Sequence, residues 1–307
     1  QNIVLLRDLC RLSSALCPLS YYSQPHSSCC PLLAASCLLA LGLLTGWFAN
    51  NHFAQQPRLL DLAKAAQNPI ADLISLPLQN NINFGVGPGD DVQNVLNIQP
   101  VIPITVGDWN YINRIITPLI DTPGQVTGTP EIPNPPPGDG ATGLGDINYS
   151  LFVSPAKPKG FIWGLGPSIM LPTASDEQLG SEKWSAGPTG VILAQPKWGT
   201  YGGLVRQLWS FAGDDDRSSV SQMLIEPFIN YNLDDGWYLI SDMILTANWN
   251  ASSGQRWTVP LGGGAGKLFK IGNQPINSRL EAYYNVVTPD AGPDWQVVFT
   301  FQFLFPK

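Results

Sequence analysis

The chain has 307 residues, a net charge of −7 and an isoelectric point near 4.7; 13% of its residues are charged, 44% are apolar, and its mean hydropathy is +0.03. The acidic balance excludes nucleic acid as a partner, because neutralising phosphates takes clustered Lys and Arg. A helical membrane bundle is excluded as well, since it needs several runs of about 20 apolar residues. Charge stands at about half the usual share for a soluble domain. Its place is taken by 30 Gly, 28 Pro, Asn and Gln, a mixture suited to a wall with one face in lipid and the other in water.

The five cysteines (Cys10, Cys17, Cys29, Cys30, Cys37) and both histidines (His26, His52) lie within the first 54 residues. If that segment is removed, the remainder cannot perform Cys or Ser–His nucleophilic catalysis, form disulfides, or build metal sites on thiolate or imidazole. Pro31 to Phe48 is an uncharged apolar stretch, with Arg7 and Arg11 upstream and a polar run after it. It reads as a secretory signal cleaved near Ala54, although about 18 apolar residues also fit a retained membrane anchor. Residues 1–54 are therefore expected to be upstream residues plus a signal peptide. Next, Leu59, Leu62, Ala63, Ala66, Ile70, Leu73 and Ile74 recur at helical spacing, with Pro69 expected to interrupt or restart the helix. Residues 55–76 are expected to form a short helical segment, either periplasmic or a plug in a barrel mouth.

Over residues 77–307 the apolar period changes to two. Ile82, Phe84 and Val86 share a face, as do Leu96, Ile98, Ile102, Ile104 and Val106; similar runs continue through Tyr201 to Phe211 and Trp237 to Leu245. The last run is the clearest: Trp295, Val297, Phe299, Phe301, Phe303 and Phe305 alternate with Gln296, Val298, Thr300, Gln302 and Leu304. An aromatic edge of this kind invites aggregation in water. The runs total about twelve, and an even number is expected of single-chain bacterial barrels. Connections alternate between short (Gly107-Asp108, Pro196-Lys197, Asp234-Asp235-Gly236) and long (Asp121 to Thr142, Thr173 to Lys183), the asymmetry of periplasmic turns and outer loops. The expected fold is an all-β transmembrane antiparallel barrel of about twelve strands, preceded by a short helical segment and located in the bacterial outer membrane.

With the aromatic face of each strand toward lipid, the opposite face carries Arg114, Arg206, Glu226, Asp242, Arg256, Arg279 and Glu281. Charge inside a membrane barrel survives only in a wet or paired lumen, so these seven are expected to line it. Arg206 with Glu226, and Arg279 with Glu281, are the expected pairs. Gly262 to Gly266 lacks the strand–loop–helix context and Lys-Ser/Thr ending of a phosphate loop; glycines in a strand more often mark a bend or a close approach. Asp214 to Asp216 lacks the spaced ligands of a calcium loop and reads as solvated surface.

Several segments resemble a bacterial outer-membrane family named for the meta-pathway of phenol degradation, whose members are often called transporters or mis-named neuromedin U. They include AKAAQNPIADLISLPLQNN (63–81), NVLNIQPVIPI (94–104), GLGDINYSLFVSP (143–155), WGLGPSIMLPTASD (163–176), NYNLDDGWYL (230–239), WTVPLGGGAGKLFKIGNQPIN (257–277) and WQVVFTFQFLFPK (295–307). The resemblance implies a barrel that passes or binds small hydrophobic or aromatic compounds. It also implies that the terminal strand (Trp295, Phe299, Phe301, Phe303, Phe305) is read by the barrel-insertion machinery, and it brings no catalytic residues, metal or cofactor. The leading expectation is an outer-membrane channel with lipid and a small hydrophobic solute as partners. The alternative is a structural or adhesive barrel acting through Asp121 to Thr142.

Overall fold

The structure, a computed structural model, describes residues 59–306; residues 1–54, expected to hold a signal peptide, lie outside the described residues. One helix, α1 (Leu59–Ala66), precedes fifteen strand segments. These are β1 (Ile74–Val86), β2 (Asp91–Ile98), β3 (Val101–Val106), β4 (Trp109–Thr122), β5 (Ala141–Leu144), β6 (Ile147–Pro155), β7 (Ile162–Leu171), β8 (Lys183–Ala194), β9 (Gly199–Gly213), β10 (Ser221–Asn232), β11 (Trp237–Asp242), β12 (Leu245–Asn248), β13 (Trp257–Ile271), β14 (Gln274–Val287) and β15 (Trp295–Phe305). Three pairs, β2 with β3, β5 with β6 and β11 with β12, are each one wall strand broken by a two-residue interruption, so fifteen segments make twelve strands. All neighbours pair antiparallel, and β15 closes the ring on β1 from Ile74↔Phe305 to Phe84↔Trp295.

The barrel is inside out relative to a soluble protein. Val106, Leu165, Phe211, Leu261 and Tyr284 point outward and are each more than 60% exposed, whereas Gln93, Ser168 and Thr200 point inward and are fully buried. A continuous exposed apolar surface is unstable in water, and a closed ring leaves no unpaired backbone in lipid. The chain is thus a transmembrane barrel. Tryptophans sit in two belts. Trp109, Trp163, Trp198 and Trp237 flank the short turns, while Trp184, Trp209, Trp249, Trp257 and Trp295 flank the long loops. Contacts run within each belt, as in Trp109–Trp163 at 6.2 Å and Trp249–Trp257 at 5.6 Å. Short turns mark the periplasmic end and long loops the outer end. At the periplasmic turn between β10 and β11, Asp235 and Gly236 both take positive φ (55° and 78°), the backbone hand that a tight hairpin requires.

The helical expectation for 55–76 is corrected. α1 ends at Ala66, and the chain turns at Asn68, whose Oδ1 accepts from the Ile70 amide at 3.0 Å; Pro69 disfavours helical backbone at the residue before it. The strand period begins at Ile74. Val86 is also corrected: a bulge at Gly85 (φ +70°) turns it inward to full burial, away from the face of Ile82 and Phe84. The glycine run in β13 is a plain strand whose missing side chains leave room: a Cβ on Gly266 would lie 2.2 Å from the Tyr238 ring.

Gly166 shows why the Gly-Leu-Gly-Pro stretch is required. The β6–β7 ladder is interrupted between Ser150↔Ser168 and Val153↔Leu165, and a Cβ on Gly166 would sit 1.9 Å from the Leu151 carbonyl oxygen. Gly166→Ala should lower the stability of the detergent-folded barrel by about 1–3 kcal/mol, read as an earlier urea unfolding midpoint. An unchanged midpoint would mean that the two strands can part there without cost.

Candidate functional site

Two segments divide the lumen. At the periplasmic mouth, α1 buries Leu62 and Ala63, with Leu73 after it, against Leu268 of β13 and Leu304 of β15. Polar ties hold its other side: Gln195 Nε2 donates to the Lys64 carbonyl (2.6 Å), Gln67 Nε2 to Asn232 Oδ1 (2.7 Å), and Thr200 Oγ1 to Gln67 Oε1 (2.9 Å). The segment is thus held against the barrel wall at this mouth by both apolar packing and hydrogen bonds. At the outer mouth, the β4–β5 connection folds inward. Thr246 and Thr258 donate to the Gly128 carbonyl at 3.1 and 2.8 Å, Asn97 Nδ2 donates to Glu131 Oε1 at 3.0 Å, and Asn248 Nδ2 donates to the Pro133 carbonyl at 3.0 Å.

Between these closures lies a chamber of about 220 Å³. One side is apolar: Phe152, Leu204, Leu224 and Phe228 border it and belong to a cluster that Ile70, carried in by the segment after α1, completes. The other side is charged. Arg279 bridges strands, with Nη1 2.9 Å from Asp242 and Nε 3.2 Å from Glu281. The Tyr283 hydroxyl donates to Glu281 and accepts from the Asp242 amide at 2.8 Å. That last bond replaces a ladder hydrogen bond where β11 breaks off, since the pairing of β11 and β12 with β13 stops at Ile240 and resumes at Thr246. Unmet backbone groups in lipid are costly, and here side chains meet them.

Arg114, Arg206, Glu226, Asp242, Arg279 and Glu281 border this chamber. Arg256 does not. It precedes β13 in the outer loop, exposed, with Nε donating to the Ala251 carbonyl at 2.9 Å. Arg279 and Glu281 pair as expected. Arg206 and Glu226 do not: the register sets Arg206 against Leu224 and Glu226 against Leu204, so Arg206 donates to Asn148 Oδ1 at 3.0 Å and Glu226 faces Asp242. Sequence reasoning missed Tyr238, Tyr283 and Glu131. The tyrosines were readable from parity, since only one of the adjacent Tyr283 and Tyr284 can face lipid. Glu131 lies in a proline-rich loop that reads as outer surface. Burial pushes its carboxyl above the usual range, opposed by the hydrogen bond from Asn97 and the charge of Arg206.

No protein-family model matches the chain, and no curated protein matches it. Among solved structures it is similar to an outer-membrane channel from Pseudomonas putida F1, with 13% identity, a TM-score of 0.56, and 76% of this chain and 94% of that one covered. The likeness is one of fold. Also similar are the CymD monoaromatic hydrocarbon channel (11% identity, TM-score 0.43, covering 83% and 94%) and outer-membrane phospholipase A from Escherichia coli (12% identity, TM-score 0.38, covering 82% and 99%).

Proposed function

We propose that this barrel is an outer-membrane channel for small compounds with a hydrophobic, ring-sized body and a polar group. The observation that carries the reading is the two-sided chamber. Phe152 and Phe228 stand on one side, and on the other Thr300 Oγ1 is buried without a hydrogen-bond partner beside the Asp242, Arg279 and Glu281 cluster. A pocket that is largely apolar with a few convergent polar groups binds and orients small molecules. The resemblance to the phenol meta-pathway family and the channel fold of the Pseudomonas protein support the same direction. Within this reading, Arg114, Arg206, Glu226, Asp242, Arg279 and Glu281 line the solute path, and the outward aromatics of β15 are the signal for barrel insertion. The protein acts without catalysis. The alternative, an adhesive barrel acting through residues 121–142, gains no support from a loop tied inward by its own barrel.

The test is block of ion current in planar bilayers. Phenol or toluene should interrupt the current, glycerol should not, and the double variant Phe152→Ser, Phe228→Ser should lose the block while the barrel still shifts on a gel when heated. If aromatic and hydrophilic solutes act alike, or if the double variant is blocked as before, the reading fails.

A further inference from the structure

We propose that residues 127–131 form a hinged outer gate, a strap that swings clear of the lumen; the proposal rests on the channel reading above. The strap leaves β4 and is tied to β12 and β13, which stand on the far side of the ring from β4 in the strand order. Gly128 and Thr129 border both the inner chamber and an outer vestibule of about 880 Å³, so this short stretch is the partition between them. Both of its ends are anchored: Val126 is fully buried, and Ile132 is held among Val95, Ile120 and Leu179.

Between those anchors a few hydrogen bonds hold the strap, one of them from the Thr127 amide to the Ala291 carbonyl at 3.4 Å. The Thr127 hydroxyl donates to the Asp290 carbonyl at 2.6 Å, the Gly128 carbonyl accepts from Thr246 and Thr258, and Glu131 accepts from Asn97. Such bonds are individually weak in net terms, about 1 kcal/mol each, unlike the packing that fixes the anchors. The docked strap is also imperfectly satisfied, since Thr129 Oγ1 is buried without a partner. Gly128, at φ +76°, supplies the permissive backbone at the latch itself.

Docking carries a pH sign. Arg206, on β9, and Asn97, on β2, face the Glu131 carboxyl, which burial raises above its ordinary range. Docking is therefore favoured fully below the ordinary carboxylate pKa and weakens as pH rises through the raised value.

The experiment places a cysteine at Ser150, which borders the chamber, in a chain with no cysteine after Cys37. A membrane-impermeant thiol reagent is added to the long-loop side of the protein in liposomes. Thr246→Val with Thr258→Val keeps side-chain shape and removes both latch donors, and labelling should become several-fold faster. Raising the pH should speed labelling of the wild-type strap relative to Glu131→Gln, which shares the same thiol chemistry. If the latch variant does not fold, deletion of residues 127–130 should give the same acceleration. A folded variant of either kind that labels at the unaltered rate overturns the proposal. Labelling does not depend on transport: faster labelling without aromatic block of current supports the strap and sinks the channel reading, whereas intact block with unchanged labelling sinks the strap alone.

Discussion

Removing residues 59–71 should take away one of the two closures, and the mean current through the barrel should rise several-fold above that of the intact protein while the outer strap still limits it. The segment lies outside the hydrogen-bonded ring, which β1 and β15 close from Ile74 onward, so its loss leaves the wall intact. What it contributes is occupancy. Leu62 and Ala63 fill the space against Leu268 and Leu304, Gln67 bridges Thr200 and Asn232, and Ile70 packs into the apolar cluster that borders the chamber. Ala63→Glu should act in the same direction with less force, because it sets a charge on the buried face of α1, where an unpaired charge is costly. Conductance recorded on the folded, heat-modifiable protein decides the matter. Unaltered conductance after the deletion would mean that the narrowest point of the path lies elsewhere.

The second large effect is expected at Arg279. Its side chain is mostly buried, and it is the only cation within ion-pair distance of Asp242 and Glu281 among the described residues. Replacing it with Met strands two carboxylates in the wall, and removing one partner of a buried pair costs about 3–5 kcal/mol. The detergent-folded barrel should unfold at markedly lower urea. Neutralising both acids as well, with Asp242→Asn and Glu281→Gln, should recover much of the loss, because the charges that made the gap expensive are gone. A single variant as stable as the parent would show that water reaches the cluster freely enough to screen it.

Much of the wall was legible in the sequence. Alternation placed Trp295, Phe299, Phe301, Phe303 and Phe305 on the outer face of the closing strand, and the short–long alternation of connections gave the two ends. What alternation cannot supply is register. A slip of two residues between neighbouring strands keeps every side chain on its face while exchanging its partners, so Arg206 and Glu226 both border the chamber but are not the pair that alternation suggested. Val86 was lost for a related reason, since one bulge at Gly85 inverts the parity of the strand beyond it. The breaks after Ile98, Leu144 and Asp242 left no periodic signal, because parity continues across them. The strap was the least visible feature. Its ties run to Thr246, Thr258 and Asn97, far away in sequence, and a run of Pro, Gly and Asn reads as an outer loop whether it projects or folds in.

A lumen stopped at both ends bears on the cell's tolerance of such a pore. An outer membrane excludes noxious solutes only as well as its least selective hole. With independent stoppers in series, leak occurs only when both are displaced at the same moment. If each were displaced about 1% of the time, as a gap of roughly 3 kcal/mol would give, a continuous water path would exist for only about one part in ten thousand. A cell could then carry many copies of this barrel without surrendering its permeability barrier, and loss of either stopper alone should show first as sensitivity to antibiotics and detergents.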